Sequence, residues 1–277
     1  INSIIVALSV SAAFLFGITL IIHKVDFRNI VVASLFFFMG YIVFVVNLVN
    51  SSELINYPHF FATQFPFVSA TGPLFLLYTL SITKKKKSFQ LFDYLYFTPL
   101  SVIFVLLFPY YSLSSVEKID VIQQFTYEKQ YQVLRYILAF GSIYSLVFFT
   151  ASVLLIRKYV NWKSSADRKL LLFLILILVG ALVHMTSIFH QFFPSIKLLT
   201  SINLAFCFCI LTFYFYAQRN FYLFRFGTIE RKVEHKKSTI SDADKKMLET
   251  GIYALFEEEK IYLEEDVTLP RLSSMMN

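Results

Sequence analysis

The chain has 277 residues, of which 57% are hydrophobic and only 16% charged, with a formal net charge of +7. Soluble domains run at roughly 45–50% apolar and about 25% charged, so a mean hydropathy of +0.64 excludes an ordinary water-soluble globule. Cys207 and Cys209 stand at i, i+2, roughly 200° apart on a helix, which excludes a disulfide framework and a metal shared from that helix.

A bilayer core of about 30 Å is crossed by roughly 20 apolar helical residues. Seven windows reach that length: Ile4–Ile22, Ile30–Asn50, Phe67–Thr83, Leu91–Tyr111, Val133–Ile156, Leu170–His190 and Leu198–Gln218. They predict an all-α chain, with a seven-transmembrane helix bundle over residues 1–218 followed by a short cytoplasmic helical segment. The 33 Phe and 17 Tyr suit lipid-facing and interfacial positions. His184 is the one ionisable group near a window centre. Asp93 and Arg135 lie near window ends, where snorkelling to the headgroups is expected. The third window is the shortest and holds Thr71-Gly72-Pro73; a proline is tolerated there if neighbours satisfy the freed carbonyl. The chain starts at Ile1, not Met, with no basic segment before its first apolar run. The expectation is a missing N-terminus and no cleavable signal peptide.

Loop charge predicts orientation. The first, third and fifth connections carry Lys24 and Arg28, then Lys84–Lys87, then Arg157, Lys158, Lys163, Arg168 and Lys169. The second, fourth and sixth, with adjoining helix ends, hold only Lys118, Lys129, Arg135 and Lys197. Basic loops stay in the cytoplasm, so the N-terminus is expected outside and the C-terminus inside.

Composition changes at Arg219. Residues 219–277 hold ten Lys/Arg against eleven Asp/Glu and no run long enough to span. Residues 219–240 read as a juxtamembrane linker that leaves the bilayer through an aromatic, basic stretch, Asn220 to Phe226. Ser241 is an N-cap candidate, with Asp242 and Asp244 in the first turn. Leu248, Ile252, Leu255 and Phe256 then form an amphipathic stripe. A second start follows, with Thr268 as N-cap, Pro270 in the first turn and Val267 set to staple Leu272.

No enzyme signature is present: the chain has no phosphate-binding glycine loop, HExxH, CxxC or intramembrane carboxylate pair. The reading is therefore a non-enzyme without cofactor or metal site. His235 is considered as a phospho-acceptor, but no nucleotide-binding domain follows it in this chain, and a solvated linker histidine is the simpler reading. Polar groups inside the bundle say more. His184 lies about 14 residues, hence ~21 Å, from the cytoplasmic end of its helix. Asn203 lies near the outer end of the last window, and Thr71, Thr186 and Ser187 fall in the same outer half. Such groups face the bundle interior or a cavity. Thr71, His184 and Asn203 are the candidate sensor pocket, the plainer alternative being helix-to-helix hydrogen bonding. His190, about 120° around the helix from His184, is not expected to share a metal with it.

Within the tail, Lys260, Tyr262, Leu263, Glu265, Asp266, Thr268, Leu269 and Leu272 fit the pattern Lys-x-Tyr-Leu, two acids, apolar-Thr-Leu, then Leu. About 30 residues here resemble the entry to an AraC/XylS-type DNA-binding domain of the variety fused to a membrane sensor. Ser273 departs from the family's usual Ala. The resemblance implies that 241–277 begins a helix-turn-helix domain, with Tyr262, Leu263, Thr268, Leu269 and Leu272 as its structural entry. DNA-contacting residues would follow Asn277, each recognition helix entering a major groove. It implies a transcriptional regulator in a bacterial inner membrane, with the lipid bilayer, DNA, an unidentified small molecule or membrane state, and a second copy of the chain as partners. Two other classes fit the same bundle: a seven-helix receptor with another output, such as a histidine kinase, and a small-solute transporter.

Overall fold

The structure is a computed structural model that describes residues 2–23, 25–84, 86–126, 132–158, 168–193, 195–219 and 250. By compactness the chain divides into two units, Ile1–Arg231 and Lys232–Asn277. In the second unit only Thr250 is described, as helical. The expected helix start at Ser241 and the entry residues Tyr262, Leu263, Thr268, Leu269 and Leu272 lie outside the described residues.

Among the described residues the first unit is built from helices alone. They are α1 (Asn2–His23), α2 (Phe27–Asn50), two 3-10 turns (Glu53–Ile55 and Pro58–Phe60), α3 (Phe65–Thr83), α4 (Leu91–Leu95), α5 (Thr98–Tyr111), α6 (Ser115–Thr126), α7 (Gln132–Arg157), α8 (Arg168–Phe192) and α9 (Ile196–Arg219). Among the described residues, six stretches are long and apolar enough to cross a membrane: α1, α2, α3, Leu91–Tyr111, α7 and Lys197–Tyr216 of α9. These coincide with six of the seven predicted windows. The remaining window falls on α8, whose described apolar stretch, Ile177–Phe192, is shorter.

The fourth window is not one helix. It breaks at Tyr96 and Phe97, just before a proline in the first turn of α5. Pro99 has no N–H to continue the ladder of α4, yet its fixed φ suits a helix start.

The third window has the lowest hydropathy of the six, 1.5, yet 83% of it is buried, against 17% of Leu91–Tyr111. A central helix faces protein on all sides and has little need of lipid-facing bulk. Its run Ser69-Ala70-Thr71-Gly72 instead lets neighbours come close. α2, α5 and α7 pack around α3, while α9 closes the bundle against α1, α2 and α8. Val102, Phe104, Val105, Leu106 and Phe108 of α5 are exposed, as a lipid-facing surface would be.

Neither charged group expected to snorkel does so. Asp93 is buried, pairs with Lys86 at 2.8 Å and accepts from the Gln90 N–H at 2.6 Å. Arg135 is also buried; it donates to the Phe125 carbonyl at 2.7 Å and lies 4.8 Å from the Phe125 ring centroid. Each has a partner within the protein, and a charge-assisted bond already made holds it there. Lys86→Met would leave the Asp93 carboxylate buried and unpaired, an expected cost of about 1–3 kcal/mol. Thermal unfolding in detergent measures it, and an unchanged melting temperature would assign Lys86 to loop charge alone.

The fourth connection holds a helix that periodicity did not anticipate. α6 opens with a reciprocal cap: the Ser114 N–H and hydroxyl donate to Glu117 Oε2 at 2.8 and 2.7 Å, while the Glu117 N–H faces Ser114 Oγ at 3.4 Å. The hydroxyl bond first, then the backbone bond, hold the Glu117 carboxyl below its ordinary value. A carboxyl lowered in the folded state stabilises above its unfolded pKa and loses that contribution as pH falls through its folded one. Ser114→Ala should raise the Glu117 titration midpoint by NMR; an unmoved midpoint would show that the cap does not form in solution.

One turn on, buried Lys118 donates to the Tyr111 carbonyl at 2.8 Å and contacts His59 Nδ1 at 2.9 Å. The ammonium can only donate, so Nδ1 accepts and the ring proton sits on Nε2, 3.0 Å from Ser115 Oγ. This ties the second connection to the fourth.

Candidate functional site

The two tied connections roof one end of the bundle, and beneath them lies a cavity of about 110 Å³. Its wall is mainly aliphatic and aromatic. α2 contributes Val46, the second connection Phe61 and Gln64, α6 Phe125, and α9 Asn203 and Phe206. α8 adds His184, Ser187 and Gln191, spaced i, i+3, i+7 and hence on one helix face. A small, largely apolar recess with a few convergent polar groups is the usual form of a ligand site.

Of the three predicted pocket residues, His184 and Asn203 lie in this wall and both are buried. Thr71 is not in the wall. Its hydroxyl lies one layer behind, 3.1 Å from His184 Nε2, and donates to the Val68 carbonyl at 2.9 Å. With the Thr71 proton so used, His184 donates from Nε2. Ser145 of α7 joins the same cluster. Its hydroxyl donates to the Val68 carbonyl at 2.6 Å, accepts from the Gly72 N–H at 3.2 Å, and stands 3.3 Å from Thr71 Oγ1.

A side chain of α7 therefore occupies the step of the α3 ladder one residue before Pro73. Ser145 bridges the Gly72 N–H and the Val68 carbonyl, the backbone pair just before the one that Pro73 breaks at the Ser69 carbonyl. The hydrogen-bonding alternative weighed from sequence accounts for Thr71. His184 does both things at once, with one ring nitrogen in the interhelical cluster and its ring in the cavity wall.

The remaining polar groups divide. Thr186 bonds back to Leu182 and Val183 of its own helix and is not in the wall. Ser187 is, and Gln191 donates to the Ser187 carbonyl at 3.2 Å. His190 also reaches the cavity, about two turns of helix from His184. Among the described residues no group of three or more His, Cys, Asp or Glu is placed to hold a metal.

Sequence reasoning missed Gln64. It immediately precedes α3, in a connection read only as a loop, and becomes a wall residue because the 3-10 turns fold inward over the bundle. Ala62 beside it has φ 61°, a left-handed conformation that costs a non-glycine residue about 1–2 kcal/mol. The Tyr111 hydroxyl donates to the Ala62 carbonyl at 3.2 Å and helps to hold that turn. Compared with protein-family models, with curated proteins and with solved structures, the chain has no match in any of the three.

Proposed function

We propose that this chain is the sensor part of a membrane-bound transcriptional regulator, with seven spans, an outer N-terminus and a cytoplasmic tail that opens an AraC/XylS-type domain. The cavity beneath the second and fourth connections carries this reading. It is enclosed largely by apolar side chains, and through His184 it touches the hydrogen-bonded crossing of α3, α7 and α8. Occupancy can thus bias how those helices pack, and a ligand shifts an equilibrium only by contacting two states differently. On the proposed topology the cavity faces outward and α9 delivers any displacement to the linker 219–240. The tail pattern around Tyr262 and Leu263 supports DNA binding as the output, through a domain that a second copy could pair.

Coding sequence beyond Asn277 tests the output: two consecutive helix-turn-helix patterns are expected. A nucleotide-binding domain there would select the histidine-kinase alternative. Topology is tested by alkaline phosphatase fusions, active after Ser114 and inactive after Lys87. The reverse pattern would put the cavity on the cytoplasmic side and end the account of an external signal.

A further inference from the structure

We infer that the cavity takes a small uncharged molecule with a ring-sized apolar body and one hydroxyl, and that Gln64 seats the hydroxyl. This deepens the sensor reading and rests on it for its consequence, though not for the binding itself.

Gln64 is 7% exposed and lies in the cavity wall. Its Oε1 is buried without a hydrogen-bond partner. Nearly all buried polar groups in folded proteins are paired, because an unpaired one forfeits its hydration for nothing. An unpaired amide oxygen on a residue that lines the cavity calls for a donor, which an occupant of the cavity can bring once the amide turns toward it.

Three features of the wall narrow that donor's chemistry. Its described residues include no Asp, Glu, Lys or Arg, so a charged ligand would lose its hydration with no opposite charge to meet. The volume of about 110 Å³ is somewhat below the roughly 150 Å³ of an engineered apolar cavity that binds benzene. That limits the occupant to about one ring or a short branched alkyl group. Finally, the amide of Asn203 stands in the same wall, offering a complementary donor. A hydroxyl gives its proton to Gln64 Oε1 and still accepts through its oxygen, whereas an ether or a bare hydrocarbon leaves Gln64 unpaired.

The test uses the full chain in lipid nanodiscs, with fluorine NMR of 4-fluorophenol and of 4-fluoroanisole, the same ring with its hydroxyl capped. Empty nanodiscs set the background of partition into lipid. We expect saturable binding of 4-fluorophenol and at least about tenfold weaker binding of 4-fluoroanisole, since a site built to hydrogen-bond a hydroxyl rejects the analogue without it. Gln64→Leu should erase that preference so that the two probes bind alike. Ile202→Trp, which fills the cavity from α9, should abolish both; if it fails to fold, the Gln64→Leu comparison still decides.

Equal binding of both probes to the wild type would overturn the proposal, as would a preference that survives Gln64→Leu or a signal no greater than that of empty nanodiscs. The sensor reading fails separately. Hydroxyl-dependent binding without any change in a transcriptional reporter in cells keeps the site and removes the sensor, whereas a reporter response that persists unchanged in Gln64→Leu does the reverse.

Discussion

Gly72→Ala is expected to destabilise the bundle by about 3 kcal/mol or more, although it adds one methyl group. A Cβ at Gly72 would fall against the Ser145 carbonyl oxygen and 2.6 Å from the Ser145 Cα. Those atoms are backbone, so no rotamer change relieves the contact and the two helices must separate. Separation would pull the Ser145 hydroxyl from the Val68 carbonyl and the Gly72 N–H that it bridges. Overpacking usually costs about 1–3 kcal/mol; the lost buried hydrogen bonds add to it. Gly141→Ala on α7 is the control. Its Cβ would meet nothing nearer than 3.6 Å, so it should be neutral or slightly stabilising, since Ala is the better helix former. Thermal unfolding in detergent compares the two, and equal melting temperatures would show that α3 and α7 do not cross this closely in solution.

That contrast explains what was legible beforehand. Six of the seven predicted windows match single helices within three residues at each end, and the fourth matches the outer ends of α4 and α5, because the apolar length needed to cross a bilayer is a strong, local signal. The same signal ranked α3 as the weakest span, and α3 is the most enclosed of the six spans compared. Hydropathy measures affinity for lipid and is blind to affinity for other helices, which depends on small residues such as Gly72 and on hydroxyls such as Thr71 and Ser145. His184 and Asn203 were legible because a polar side chain inside a span must face inward. Gln64 was not, since a glutamine in a loop carries no such constraint. Its role depends on where the turns at Glu53–Ile55 and Pro58–Phe60 carry the chain. The inward bonds of Asp93 and Arg135 were hidden for a related reason: Lys86 and Phe125, their partners, lie in connections between spans, and apolar length says nothing of where a connection folds back.

The largest expected loss from removing a single side chain is at Phe149. Its ring is 2% exposed, with centroids 4.7 Å from Phe75 of α3 and 5.3 Å from His184 of α8, so it joins three helices at one point. Phe149→Ala should cost about 3–5 kcal/mol. Gly180 of α8 separates packing from general disruption. A Cβ there would lie 2.8 Å from the Phe149 ring, so Gly180→Ala alone is destabilising, whereas in the Phe149→Ala background the same methyl enters vacated space. The double variant should therefore be more stable than the sum of the two single losses predicts, with a coupling of about 1–2 kcal/mol. Strict additivity would mean that the ring does not occupy that crevice. The substitution also frees one face of His184, which otherwise meets the Thr71 hydroxyl, the edge of the Phe206 ring and the cavity. Binding of 4-fluorophenol should then weaken although Phe149 is not in the cavity wall, because the packing behind the imidazole is what holds it in position to complete the site.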